Sequence, residues 1–576
     1  MKTTDWFNIK LGLVLLFLCS AFDCGAKITL PKLLADGMVL QRECPVKIWG
    51  KSDVGEKVEL KFRGKTFRTV ADEKGCWMIE LPALKAGGPY DMQINEVTLH
   101  NILIGDVFLC SGQSNMELPV SRIMDKFAEE VNSYENPMIH YIKVPYCYDF
   151  KMPQTDTKQA AWVPLTKDNV MNYSALCYFF AKLLYQQTGV PVGIVNSSWG
   201  GTPVEAWISE SGLKDFPSYL NQKAMYECDD LVTEIKQSER MHQQEWQKEL
   251  YKSDKGLHTE TPWYAASFDD RSWKTVDMFS SSWATNGWCP INGSHWFRQQ
   301  INIPESWNNK EAILRLGCIV DADSVYVNGC LVGTTSYQYP PRIYKVPAGV
   351  LKTGQNQITV RLISNGGYPS FVKEKPYKLI CGKDEIVLSP SWKYHVGAEM
   401  PSTPASTNFH YVPVGLYNGM IAPLENYMFK GVVWYQGESN VGKWQEYSSL
   451  LTALMKDWRK LFQNDKLPFY IVELADFLAP DDPGRASWAA LRAEQAKAAQ
   501  SVDHATLIKN SDTGEWNDIH PLNKKELARR VALQVKKKVY GHKDIVHSGP
   551  LCTAAAIEGG KILSLIHISE PTRQEA

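Results

Sequence analysis

This chain of 576 residues lacks three things, and each lack removes a class of function. It has little imbalance of charge: 62 Lys and Arg stand against 63 Asp and Glu, for a formal net charge of -1 and no long run of either sign. Without a basic field there is nothing to hold a phosphate backbone, so nucleic acid is not expected as a partner. It has no long apolar run beyond Leu11–Phe22, and no later stretch approaches the ~20 apolar residues of a membrane helix, so no membrane span is expected. Its thirteen cysteines form no Cys-x-x-Cys pair, and no His-Glu-x-x-His sequence occurs. Neither a zinc site nor a disulfide framework is indicated, and no metal or organic cofactor is expected.

What is present begins with a leader. Lys2 and Lys10 precede Leu11–Phe22, and small residues follow as far as Gly25-Ala26, so residues 1–26 read as a secretory signal peptide and the product as periplasmic or secreted. Cys19 and Cys24 invite a lipoprotein reading, but bulky Leu18 and charged Asp23 stand where small residues belong. Removing those two leaves eleven cysteines, read mostly as small buried hydrophobes, with one or two disulfides left open. Nineteen Trp and 26 Tyr supply rings that stack on sugars or fill cores.

The rhythm of the chain changes several times. Residues 27–104 alternate apolar and polar between turns, as in Val58-x-Leu60-x-Phe62 and Trp77-x-Ile79-x-Leu81, which predicts an N-terminal β-sandwich. Residues 105–213 alternate strands with amphipathic helices, Tyr173–Thr188 leading into the strand Val190–Asn196. Residues 214–262 are charged and read as a helical connector. Residues 263–382 return to short alternating runs, an all-β domain inserted where an exposed loop tolerates it. The α/β pattern resumes over 383–545. There Lys430–Gln436, Leu467–Leu474 and Ala505–Lys509 are expected as strands, and Tyr447–Phe462, Ser487–Gln500 and Leu522–Tyr540 as helices. Residues 546–562 read as the start of a truncated β segment. Residues 563–576, with Leu563–Arg573 resembling a translated sequencing adapter, read as a non-native tail.

The chemistry-bearing residues cluster at predicted strand ends. Gly112-Gln-Ser-Asn115 closes one strand and presents Ser114, whose hydroxyl needs a neighbouring base to act as a nucleophile. His520, in Asn517-Asp-Ile-His-Pro521 just before a helix, is the candidate base. Asp518 is the candidate to orient its ring and Asp512 the fallback. Glycine turns at Trp199-Gly-Gly-Thr202 and Gln436-Gly-Glu438 offer backbone donors for a developing oxyanion. Both lie where α/β sheets open their ligand crevices. A rival serine, Ser439, sits in a second Gly-x-Ser-Asn run at Gly437–Asn440.

Taken together, Gly-Gln-Ser114-Asn-Met116, Asn196-Ser-Ser-Trp-Gly-Gly-Thr202 with Glu205-Ala-Trp207, Trp434-Tyr-Gln-Gly-Glu-Ser-Asn440 and Asp518-Ile-His-Pro521 resemble the sialate O-acetylesterase family of SGNH-type hydrolases. The insert, through Phe268-Asp-Asp-Arg-Ser-Trp273 and Asp323-Ser-Val-Tyr-Val-Asn-Gly329, resembles the jelly-roll sugar-binding domains of β-galactosidases. The resemblance implies a multidomain α/β plus all-β protein with an α/β/α three-layer hydrolase domain built on a parallel sheet. It makes Ser114 the nucleophile, His520 the base and Asp518 the third member, although many relatives carry that carboxylate at the position of Asn517. It places the Ser114 amide, Gly201 or Gly200, and Gln436 in the oxyanion hole. Gln113, Asn115, Gly200, Glu438 and Asn440 fall around them in supporting or substrate-binding positions, and Ser439 is secondary. The implied reaction is removal of O-acetyl groups from sialic acids. Acetylxylan or another acetylated polysaccharide is the alternative substrate, and a dormant carbohydrate-binding protein the alternative of another kind. The insert either binds glycan or buttresses the α/β domain.

Overall fold

The computed structural model describes residues 28–542, 545–547, 549, 551–558 and 561–567. The expected leader lies outside them. Six strands run in parallel through the centre: β1 (Val97–Gly112), β2 (Asn136–Lys143), β3 (Val192–Ser198), β4 (Gly431–Tyr435), β5 (Phe469–Val472) and β6 (Ala505–Ile508). Their spatial order is β6-β5-β4-β1-β3-β2, with Val163–Leu165 antiparallel on the β2 edge. Every residue of β3, β4 and β5 is buried, as expected of strands covered on both faces.

The period of two divides these strands between two cores. Val107, Leu109, Val432, Trp434 and Ile471 face one side, where they meet α2 (Tyr447–Leu461) and α3 (Gly484–Ser501) through Leu450, Leu454, Trp458 and Leu491. Phe108, Cys110, Ile194, Val433 and Tyr470 face the other. There α1 (Ala175–Thr188) and α4 (Lys524–Lys538) close the layer with Phe179, Phe180, Val531 and Val535. The helix ends follow local chemistry. The Ser174 hydroxyl accepts from the Cys177 amide, Gly189 closes α1 at φ 65°, and the Asn523 side chain accepts from the Glu526 amide.

The N-terminal alternation forms strands whose buried positions include Val58, Leu60, Phe62, Trp77, Ile79 and Leu81. The first half of β1 pairs antiparallel with Gly87–Ile94, and the second half enters the central sheet, so one unbroken strand crosses the boundary read at residue 104. The charged connector contains the helices Pro217–Ala224 and Asp229–Ser253.

The insert packs two antiparallel sheets face to face. One runs Lys274–Asp277, Ser391–Met400, Asn292–Ile303, Gly354–Ser364, Ala322–Val327 and Cys330–Thr335; the other runs Ile343–Val346, Ala312–Leu316, Tyr377–Cys381 and Asp384–Val387. Phe297, Leu314, Val325, Val360, Leu379 and Trp392 share the core between them. Ser391–Met400 therefore belongs to the insert, past the boundary read at 382, because it pairs with Asn292–Arg298 and Lys274–Asp277.

At the carboxyl end, Leu551–Glu558 and Lys561–His567 pair as a hairpin, which takes residues 563–567 of the expected tail into a strand. The ten described cysteines whose side chains are placed are all free. No described helix is long and apolar enough to cross a membrane.

Candidate active site

The site begins at the end of β1. Gly112 has φ 137°, and a Cβ there would stand 2.0 Å from the Tyr435 carbonyl oxygen, so only glycine lets β4 pass alongside. The Gln113 amide then donates to that carbonyl at 3.0 Å. The chain turns into the short helix Ser114–Glu117. Ser114 Oγ lies 2.8 Å from His520 Nε2, across 406 residues of sequence.

His520 is buried. Burial holds its imidazole well below the usual range, down to about 3, and the cations of Lys524 and Arg122 add to the effect. The ring is neutral at physiological pH and keeps a lone pair for the serine proton. Asp518 does not take the position expected for it beside the ring. Its Oδ1 accepts from the backbone amide of His520 at 2.9 Å, and Lys375 Nζ lies 3.1 Å from its Oδ2. A carboxylate two residues upstream closes a local turn more readily than it reaches the ring. His520 Nδ1 is buried without a hydrogen-bond partner among the described residues. Asp512, the fallback, pairs with Arg530 at 2.6 Å through both oxygens.

Two of the expected oxyanion donors are already engaged. The Gly200 amide donates to Glu117 Oε2 at 2.8 Å. Gln436 is a correction: its side chain is fully buried, and Nε2 donates to the Thr202 carbonyl at 3.1 Å and to Asn440 Oδ1 at 2.7 Å. Its Oε1 accepts from Tyr447. Gln436 ties two loops together and has no side-chain N–H left for substrate. Gly201 does line the cleft, at φ 77°, with the Tyr411 hydroxyl where a Cβ would stand.

The supporting residues form one framework. Gln113 Oε1 accepts from the amides of Gly437 and Ser439, each at 3.3 Å. Asn115 Nδ2 donates to Glu438 Oε1 at 2.5 Å and to the Ile519 carbonyl at 2.9 Å, while its Oδ1 accepts from Lys524 at 2.6 Å. Asn440 Oδ1 also accepts from the Val204 amide at 2.9 Å. Burial raises the Glu438 carboxyl above its usual range and drives Lys524 down to about 7. Ser439 Oγ donates to the Gly201 carbonyl at 2.7 Å and props that turn.

The cleft above Ser114 holds about 890 Å³ and is lined in part by Arg122, Tyr337, Tyr339 and Tyr411. Tyr337 and Tyr339 come from the insert, and the Tyr339 ring stands edge-on to His520 at 5.0 Å. Sequence reasoning missed Arg122, Lys375, Lys524 and both tyrosines. Only the aromatic and proline cluster Tyr337-Gln-Tyr-Pro-Pro341 carried a signal, that of a projecting loop.

Residues 104–245 and 405–535 match the family described as carbohydrate esterase, sialic acid-specific acetylesterase, on either side of the insert. A sialate O-acetylesterase of Homo sapiens is 31% identical over 229 residues, 36% of this chain, and that stretch spans 44% of the relative's length. One from Mus musculus is 23% identical over 580 aligned positions, covering 94% of this chain and 79% of the relative. A solved structure of a carbohydrate acetylesterase from Xanthomonas citri is 25% identical with a TM-score of 0.57, covering 94% of this chain and 82% of that one. The α/β region that carries Ser114 and His520 thus matches the sialic acid-specific acetylesterase family of carbohydrate esterases.

Proposed function

We propose that the protein is a serine esterase that removes O-acetyl groups from sialic acids. The observation that carries this reading is the 2.8 Å approach of Ser114 Oγ to a neutral, buried His520 at the mouth of a parallel sheet. Ser114 gives its proton to His520 Nε2 as Oγ attacks the acetyl carbonyl. The amides of Ser114 and Gly201 receive the oxyanion. The imidazolium returns the proton to the departing sugar hydroxyl, and water, deprotonated by the same ring, releases acetate and restores Ser114. Asp518 serves by fixing the backbone of the histidine loop.

The α/β/α layering is that of an SGNH-type hydrolase domain, interrupted by a jelly-roll insert and preceded by a β-sandwich, in a chain exported through residues 1–26. The likeness to a carbohydrate acetylesterase favours a second substrate class, acetylated polysaccharide. Hydrolysis of an acetyl ester and labelling by a serine-directed phosphonate test the reading. Ser114→Ala loses both, by about 10⁴-fold or more in kcat, while Ser439→Ala keeps them; the reverse pattern overturns the assignment. Parallel assays on 9-O-acetylated sialic acid and acetylated xylan separate the two substrates.

A further inference from the structure

Arg122 lies in the turn Val120–Ile123, just past the Ser114 helix, and borders the cleft above the serine as well as a smaller neighbouring pocket. Nη2 donates to the Tyr339 carbonyl at 3.2 Å. Nε is shielded from solvent and meets no acceptor among the described residues. The neighbouring cations are all engaged. Lys143 pairs with Glu117, Lys375 with Asp518 and Glu515, Lys126 with Glu515, and Arg315 with Asp125. Lys524 donates to Asn115. Arg122 and Lys524 form no ion pair among the described residues, and of the two only Arg122 lines the cleft. The Nη2 contact is exposed, so that end of the guanidinium is open to a ligand in the cleft.

The wall facing Arg122 comes from the insert. Tyr337 and Tyr339 are 53% and 41% exposed, and exposed rings lining a cleft suit the apolar face of a sugar. Their loop is held rigidly. Arg342, fully buried, pairs with Asp323 and donates to the carbonyls of Gln338, Pro340, Ile319 and Asp321. A fixed loop loses little entropy when a ligand arrives.

We infer that Arg122 is the receptor for a carboxylate on the acetylated sugar, with Tyr337 and Tyr339 of the insert as the wall against which that sugar lies. The inference rests on the esterase reading and narrows it to sugar acids. A guanidinium fork matches a carboxylate in shape and charge. A neutral sugar offers that fork no opposite charge. A bound carboxylate also offsets a cation that depresses the basicity of His520, so the anionic substrate strengthens its own base.

The test compares three acetyl esters: 9-O-acetyl-N-acetylneuraminate, its neutral methyl ester and p-nitrophenyl acetate. Wild type prefers the acid to its methyl ester. In Arg122→Gln that preference in kcat/KM falls by roughly tenfold to a hundredfold, the scale of a charge-assisted hydrogen bond. Arg122→Lys restores part of it. Tyr337→Ala/Tyr339→Ala raises KM for both sugar esters by about tenfold more than for p-nitrophenyl acetate. Equal wild-type rates on acid and methyl ester, or an equal Arg122→Gln loss on all three esters, overturn the inference. Turnover of p-nitrophenyl acetate that depends on Ser114, with neither sugar ester cleaved, defeats the inference but leaves the esterase reading standing. Turnover that survives Ser114→Ala defeats the esterase reading itself.

Discussion

The two halves of the Ser114–His520 pair are held in different ways. Ser114 stands just past the end of β1, which runs between β3 and β4, and its turn is fixed by groups of the α/β region: Gly112, Tyr435, Gln113 and Asn115. His520 lies in the irregular stretch between β6 and α4, and much of what grips that stretch belongs to the insert. Lys375 bridges Asp518 and Glu515, Trp516 Nε1 donates to Glu374 at 2.9 Å, and Asn517 Nδ2 donates to the Lys373 carbonyl at 2.8 Å. Ser114 is positioned by the sheet, whereas His520 is steadied by a segment more than a hundred residues upstream. The insert thus helps to hold the loop that carries His520.

The largest break in that comparison comes from the serine side. Gly112→Ala drives a methyl into the Tyr435 carbonyl oxygen at a backbone angle that favours glycine. It should cost about 3 kcal/mol or more of stability together with activity, measured by denaturant unfolding and ester hydrolysis. Lys375→Met on the histidine side should behave differently. It should lower kcat by about tenfold to a hundredfold through a misplaced base, with KM for p-nitrophenyl acetate nearly unchanged. The unfolding midpoint should barely move. If it instead unfolds the protein as Gly112→Ala does, the two sides are not separable.

A further expected effect is in pH. His520 stays neutral down to about 3 rather than its usual 6.5, so kcat/KM should show no acid limb near 6.5. The sign of the stability effect follows from the same shift. Between 6.5 and about 3 the unfolded chain binds a proton that the native ring refuses, so stability falls with falling pH, by up to about 1.4 kcal/mol per unit. Melting scans of wild type and His520→Asn across that window should converge toward low pH. Lys524→Met removes one depressing cation and should move the acid limb upward by about a unit or less.

What could be read from the sequence divides along the same line. The central helices and strands carry their own periodicity, and α1, α2, β4 and β6 lie within a residue or two of where apolar spacing predicts them. Ser114 was legible because a glycine turn at a strand end is a local signal, and His520 because Asp-x-His-Pro directly precedes a helix. Gln436 carried the same strand-end signal but faces inward, since Asn440 and Tyr447 sit near enough to claim its amide. Asp518 was misplaced because its nearest donor is a backbone N–H two residues on. Arg122, Lys375 and Tyr339 carry no local pattern at all; only tertiary packing brings them beside His520.

The strand β1 has a further consequence. Its sixteen residues serve two sheets in turn, a beam of about 50 Å at the usual rise per residue. Melting the N-terminal sheet should strip hydrogen bonds from the strand that ends beside Ser114, so the two regions should unfold as one cooperative unit rather than as separable modules. The amides of Ile102–Gly112, buried throughout, should be among the slowest to exchange with solvent, and a truncation at residue 105 would saw through that beam instead of trimming a neighbour.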